Sequence, residues 1–92
     1  MPQVLVKLYA TLKLRLNKSQ VWVEARTADE AVRRVAELGG PEVADILFDE
    51  KGIVRNHFLL ALDSDVLDRN TADKIEIKEG NVLHIFPPIS GG

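Results

Sequence analysis

The sequence predicts an α+β domain, with a mixed sheet of four to five strands and one main helix packed across one face. Three observations predict this class. Apolar residues alternate with a period of two from Val4, repeat at helical spacing over residues 28–38, and alternate again from Val82 to Phe86. No internal repeat or linker marks a second domain. We therefore expect one domain over residues 1–86 and a flexible C-terminal Gly-Gly tail over residues 87–92.

Two strands are predicted in the first 25 residues. Val4, Val6 and Leu8 alternate with more polar neighbours, as in a half-buried strand. The period of two continues through the leucines of "TLKLRLN" and returns in "SQVWVEA". We expect the two strands to form a hairpin.

An amphipathic helix is predicted by "TADEAVRRVAELGGP", whose apolar residues recur at helical spacing. Thr27 and Glu30 have the spacing of a capping box, which satisfies backbone N–H groups that the first turn leaves unpaired. Gly39 suits a left-handed C-terminal cap, and Pro41 prevents the helix from continuing. Residues 43–47 are apolar enough for a short second helix.

The C-terminal half is predicted to supply the remaining strands. "HFLLALDSD" is apolar enough for a strand covered on both faces, and its acidic end supplies a turn. "KIEIKEGNVLHIF" predicts a short strand through Ile75 and Ile77, a turn, and the last strand. We expect the third long strand to return beside the first, as in a β-grasp arrangement.

Composition excludes several kinds of protein. The chain has 92 residues, a net charge of −2 and scattered cations, so nucleic acid is not an expected partner. No apolar run is long enough to cross a bilayer, and we expect a cytoplasmic protein without a membrane partner. The absence of cysteine excludes thiolate chemistry, and two histidines alone make a poor metal site. We expect no bound metal or cofactor.

The tail "FPPISGG" carries the strongest functional signal. Pro87 and Pro88 cannot extend a strand ladder and favour an extended path away from the body. Beyond Ile89 and Ser90, Gly91 and Gly92 have no side chains, so the terminal carboxylate can enter a narrow channel on another protein. An ATP-dependent partner could activate that carboxylate as an acyl adenylate, and a sulfur nucleophile would then leave a thiocarboxylate. The alternative is a frayed end without chemistry.

The stretch "GNVLHIFPPISGG" resembles the end of the MoaD/ThiS family of ubiquitin-like sulfur carriers, above all the small subunits of molybdopterin synthase. "VLVKLYATLK", "TADEAVRRVAEL" and "RNHFLLALDSDVL" resemble other parts of that family. Two turns depart from it. The family commonly has Gly-Asp where this chain has Gly80-Asn81, and Asn-Gly where it has Asp63-Ser64.

The resemblance implies a ubiquitin-like β-grasp carrier without catalytic residues of its own. Gly92 would be adenylated by an E1-like adenylating enzyme of the MoaB/MoeB/ThiF type, which uses ATP, and then loaded by a sulfur donor. The tail, with Pro87 to Gly91 preceding the thiocarboxylate of Gly92, would insert into the large subunit of molybdopterin synthase. There it would donate sulfur to the pterin precursor of the molybdenum or tungsten cofactor.

Three alternatives stay open. Archaeal small modifier proteins, which the middle of the chain also resembles, share the fold and the Gly-Gly end but are joined to lysines of other proteins. Carriers for thiamine synthesis or tRNA thiolation would use the same tail for another acceptor. The third alternative is a β-grasp interaction domain whose tail has no chemistry.

A docking surface is predicted beside the tail. Strand alternation places Phe86 on the outer sheet face where the tail leaves, and the resemblance implies that this face docks onto both partners. Tyr9, Val66 and His84 are further candidates for this interface, with Trp22 also on an outer side. The alternative for each residue is an ordinary half-covered position on a sheet.

Overall fold

The structure is a computed structural model that describes residues 1–87. Its five-stranded mixed sheet has the order β2-β1-β5-β3-β4, in which β1 and β5 are parallel and the other neighbours antiparallel. The strands are β1 (Gln3–Leu8), β2 (Gln20–Glu24), β3 (Leu59–Leu62), β4 (Asp65–Leu67) and β5 (Val82–Phe86). The helices are α1 (Ala10–Leu16), α2 (Ala28–Gly39) and α3 (Pro41–Leu47), with a 3-10 helix at Arg69–Lys74.

The hydrophobic core lies between α2 and one face of the sheet, which we call the inner face. Leu83 and Ile85 of β5 have no exposed surface, and neither do Val32 and Val35 of α2. At about 25 cal/mol per Å² of buried apolar surface, such residues supply the main driving force for folding. Within residues 1–87, no helix has the length and apolar content needed to cross a membrane.

The predicted main helix is confirmed, with a shift of one residue at its end. The Thr27 hydroxyl accepts from the Glu30 N–H at 3.1 Å, and the Glu30 carboxylate accepts from the Arg26 N–H at 3.0 Å. The left-handed cap predicted at Gly39 is not formed: the helix is followed by the cap residue Gly40, whose φ of +80° and ψ of −172° lie outside the left-handed helical region. Pro41 then begins α3, which confirms the predicted short second helix. Pro suits this first position because it lacks a backbone N–H, and an N–H at this position would have no partner within the helix.

Residues 10–16 form α1, so the prediction that the alternation of strand one continues through them is wrong. Leu12 is fully buried and Leu16 half-buried, one helical turn apart, while Leu14 is 82% exposed. Alternating leucines match a helix as well as a strand because Leu12 and Leu16 share a helical face. β1 and β2 are antiparallel neighbours, as predicted, but they do not form a hairpin because α1 connects them.

The prediction that the third long strand returns beside the first is wrong as well. β5 occupies that place and pairs with β3 on its other side. A central position pairs both sides of β5 and buries its apolar side chains. The segment through Ile75 and Ile77 is not a strand of the sheet. It follows the 3-10 helix, makes one bridge from Glu76 to Thr27, and buries Ile77.

Candidate functional site

The outer face of the sheet carries a band of apolar side chains opposite the helices. Strand register places Leu5 between Trp22 and Val82, and pairs Leu59 with Phe86. Trp22 is 58% exposed and Leu59 39% exposed. Apolar groups held in water on a flat, hydrogen-bonded surface favour association with another protein.

An aromatic cluster of Tyr9, His84 and Phe86 lies on this face where β5 ends. The parallel register pairs Lys7 with His84 and Leu8 with Ile85, which brings the next residue of the first segment, Tyr9, beside Phe86. The Tyr9 and Phe86 ring centroids are 4.9 Å apart. Those of His84 and Phe86 are 5.3 Å apart, with ring planes 1° from parallel. The cluster thus joins three of the four residues predicted for the interface.

A hydrogen bond closes the cluster. The Tyr9 hydroxyl lies 3.0 Å from His84 Nδ1, and it donates when the histidine carries its proton on Nε2. All three side chains are half-buried. Because each ring is held by a neighbour, the cluster presents a preorganised surface with little side-chain entropy to lose on binding.

Val66 lies apart from the aromatic cluster. It pairs with Ala61, which pairs with His84, so two strand spacings of about 4.8 Å separate Val66 from the histidine. Its side chain is 66% exposed. Trp22 is on the far edge strand, β2. The structure therefore places Val66 and Trp22 on the predicted face without bringing them to the base of the tail.

Leu59 is a candidate that sequence analysis missed. We expected the strand from residue 57 to be covered on both faces, yet Leu59 is exposed opposite Phe86. Ala61 is buried because it is small and lies between two larger cross-strand neighbours. A cavity of about 250 Å³ next to Leu59 is lined by Asn56, His57, Phe58 and Pro87. Pro87 begins the tail at this cavity.

The remaining tail residues predicted for insertion and chemistry lie outside the described residues. They are Pro88, Ile89, Ser90, Gly91 and Gly92. The structure fixes the strand that precedes them, because β5 pairs with β1 through Ile85 and with β3 through Phe86. Within residues 1–87, no three His, Asp or Glu side chains are grouped so as to hold a metal ion.

The start of β5 is fixed by a turn network at the opposite end of the sheet. One Asp63 carboxylate oxygen accepts from the Val82 N–H at 3.0 Å, and the Asp63 N–H donates to the Val82 carbonyl at 2.7 Å. Asn81 Oδ1 accepts from the Lys78 N–H at 2.6 Å. Since β5 is only five residues long, fixing its start also fixes the register in which it delivers the tail.

Comparisons with known proteins agree with this fold. Small archaeal modifier protein 1 from Methanosarcina acetivorans is similar in fold alone, with a TM-score of 0.84 at 20% identity, covering 100% of this chain and 98% of the other. The Haloferax volcanii protein of the same name gives 0.83 at 18% identity, covering 97% and 100%. The predicted ubiquitin-like β-grasp fold is confirmed.

Sequence relatives are more specific. The molybdopterin synthase sulfur carrier subunit of Drosophila melanogaster is 36% identical over 70 residues, which cover 74% of this chain and 77% of the fly protein. The ThiS family profile matches residues 6–92, a span that includes both terminal glycines. Relatives of this identity and coverage share descent as well as fold, and the chain therefore belongs to the ThiS family.

Proposed function

We propose that this chain is the sulfur carrier subunit of molybdopterin synthase. The observation that carries the proposal is a family match extending through Gly92, together with a relative of that name at 36% identity. The aromatic cluster supports it, since a preorganised apolar surface lies where the tail departs. In this proposal the protein is a co-substrate and has no catalytic residues of its own.

The chemistry takes place at the terminal carboxylate of Gly92. An E1-like enzyme joins it to the α-phosphorus of ATP, releasing pyrophosphate and forming an acyl adenylate. A sulfur donor then supplies a sulfide-level nucleophile, HS⁻, which forms a bond to the carbonyl carbon as the bond from that carbon to AMP breaks. This leaves a thiocarboxylate without any change of oxidation state. The large subunit binds this tail and uses the sulfur nucleophile to build the dithiolene of the pterin. Neither ATP nor another cofactor is bound by the carrier itself.

Docking is assigned to Phe86, Tyr9 and His84, with Val66 at the margin of the same face. Their exposed apolar area is available to both the activating enzyme and the large subunit in turn. Pro87 to Gly91 form the inserted segment, in which the lack of side chains at the two glycines permits close approach to the reacting carbon.

Intact mass spectrometry tests the proposal. The full chain is incubated with an E1-like enzyme, ATP and a sulfur source, and compared with a chain lacking Gly91 and Gly92. We expect the mass gain of sulfur replacing oxygen only in the full chain. Because oxidation of Met1 gives nearly the same gain, the change must map to Gly92 and reverse on alkaline hydrolysis. Absence of the gain with an enzyme that loads another carrier would overturn the proposal.

Assays of the loaded carrier separate the alternatives. Sulfur transfer to the pterin precursor in the presence of the large subunit is the expected outcome. Conjugates that join Gly92 to protein lysines would instead assign the chain as a modifier. Transfer only to a thiamine precursor or to tRNA would assign it to one of those pathways.

A further inference from the structure

The two edge strands of the sheet differ in how they are protected. β4 has three residues, begins with Asp65 and is followed by Asp68, so it offers little template for another strand. β2 has five residues, "QVWVE", with no proline and no charge before its last position. Within residues 1–87, no strand pairs with the outer side of β2. An edge of this kind is open to strand addition.

The hydrogen-bonding groups of β2 alternate between β1 and solvent. The Leu8 N–H donates to the Ser19 carbonyl, and the Ala25 N–H donates to the Pro2 carbonyl. In an antiparallel ladder every second residue bonds to a given neighbour, so Val21 and Val23 also face β1. Gln20 and Trp22 therefore direct their N–H and C=O groups away from the sheet, where they can bond to a further strand.

Apolar side chains flank this edge on both faces. Trp22 is 58% exposed on the outer face. On the inner face Val21 is half-buried, and Leu38 of α2 lies beside both residues with 58% of its surface exposed. A strand added at β2 would cover all three side chains.

The edge is complementary to itself in one register. If Val21 lies opposite Val21 of a second copy, Gln20 lies opposite Trp22 and Lys18 lies opposite Glu24 at each end. Within the described residues, neither Lys18 nor Glu24 has an ion-pair partner. A register centred on Trp22 is disfavoured, because it would place Lys18 opposite Arg26.

We propose that two copies of this chain associate through antiparallel pairing of their β2 strands, centred on Val21, to form a continuous ten-stranded sheet. Gln20 and Trp22 of each copy exchange main-chain hydrogen bonds with Trp22 and Gln20 of the other. Two ion pairs between Lys18 and Glu24 close the ends. The two-fold axis is perpendicular to the sheet, so both outer faces point the same way.

This dimer leaves the carrier chemistry accessible. β1 separates the β2 edge from β5, and the aromatic cluster lies on the outer face beyond it. Both tails stay free to enter a partner. Because a single strand pair buries little surface, the association is weak and reversible.

Charge exchange tests both the dimer and its register by sedimentation velocity across the micromolar to millimolar range. We expect a monomer–dimer equilibrium for the full chain. Glu24→Lys or Lys18→Glu alone converts two attractive pairs into two repulsive ones and raises the dissociation constant about tenfold. The double exchange Lys18→Glu/Glu24→Lys restores pairing. Glu50→Lys makes the same charge change as Glu24→Lys in an exposed turn and leaves the equilibrium unchanged.

Trp22, the single tryptophan, gives a second readout. The fluorescence of Trp22 is expected to change with the fraction of dimer. In a separate test by sedimentation velocity, Trp22→Pro abolishes association but leaves the β1 ladder intact, because the N–H of residue 22 points away from β1. A chain that stays monomeric at millimolar concentration overturns the proposal. The β2 register is overturned if neither single charge change alters the dissociation constant of the dimer, or if Lys18→Glu lowers it.

Discussion

Asp63 and Asn81 form a side-chain pair in which Asn81 Nδ2 donates to Asp63 Oδ2 at 2.7 Å. The two residues belong to the two turns in which this chain departs from the pattern common in its family. Asn81 supplies the donor and Asp63 the acceptor, so this contact joins the turn between β3 and β4 to the turn that precedes β5.

Reversing one side of this pair is expected to destabilise the fold. Asn81→Asp places two carboxylates in contact and removes the amide donor, which costs about 0.5–1.5 kcal/mol at neutral pH because the pair is exposed to solvent. The double change Asp63→Asn/Asn81→Asp restores a donor and an acceptor, and we expect it to recover most of that loss. Urea unfolding of the four proteins measures the coupling. Additive effects would show that the pair has no energetic role.

Phe86 is expected to dominate docking to the large subunit of molybdopterin synthase. Phe86→Ala removes the ring that stacks on both Tyr9 and His84, and we expect affinity to fall about tenfold or more. Titration calorimetry with the purified large subunit measures the loss. Leu14→Ala is the matched control, because Leu14 is an exposed apolar residue on α1. Equal losses for the two variants would contradict a docking role for the outer face.

Gly39 is expected to tolerate no side chain. A Cβ at this position would overlap the Val43 side chain, lying 2.6 Å from Val43 Cβ. We expect Gly39→Ala to cost about 1–3 kcal/mol in urea unfolding, outweighing a gain in helix propensity of about 1 kcal/mol. In a Val43→Ala background the cost falls but does not vanish, because alanine lacks the Cγ atoms of valine but keeps the Cβ that lies 2.6 Å away.

Gly40→Ala separates steric overlap from backbone strain. No atom lies within 4 Å of a Cβ built there, but the residue has a φ of +80°. Its cost of about 1–3 kcal/mol arises because φ of +80° with ψ of −172° is a backbone conformation essentially restricted to glycine, and it persists in the Val43→Ala background. Relief of both variants by Val43→Ala would contradict this distinction.

Asp49 is expected to make stability depend on acidity. The Ile53 N–H donates to its carboxylate and, with the Lys51 N–H and the charges of Arg55 and Arg69, lowers its pKa below the ordinary value of 3.8. The folded state therefore favours the ionised form. The resulting stability is present above the unfolded-state pKa and is lost as pH falls through the folded-state pKa.

Asp49→Asn tests this dependence by urea unfolding at several pH values. The variant is expected to be less stable than the original chain at neutral pH, and the difference narrows below about pH 4. Glu50→Gln, at the neighbouring exposed carboxylate, is the control. A difference that stays constant with pH would show that ionisation of Asp49 is not involved.

Local features of the fold were readable in the sequence. The capping residues Thr27 and Glu30 and the alternation of Val82–Phe86 each arise from interactions within one element. The nature of residues 10–16 was not readable, because their leucines satisfy both periods. The place of β5 between β1 and β3 was missed since it depends on pairing between segments distant in the chain, which local pattern does not encode.

The candidate site shows the same division. Phe86 could be placed on the outer face by alternation alone. Its contact with Tyr9 required the parallel register of β1 and β5, and the exposure of Leu59 required knowing that no element covers β3 at that point. The sequence pattern could therefore assign a side chain to one face of the sheet, but it could not predict which side chains lie next to it on neighbouring strands.

The pairing of β1 with β5 also constrains the order of events during synthesis. β1 is made first, but its parallel partner emerges only after residue 82, so the ribosome must release most of the chain before the sheet can close. Contacts between such distant segments slow folding. A shortened product lacking β5 would have neither the central strand nor the departing tail. An activating enzyme that recognises both therefore meets them only on molecules whose folding is complete.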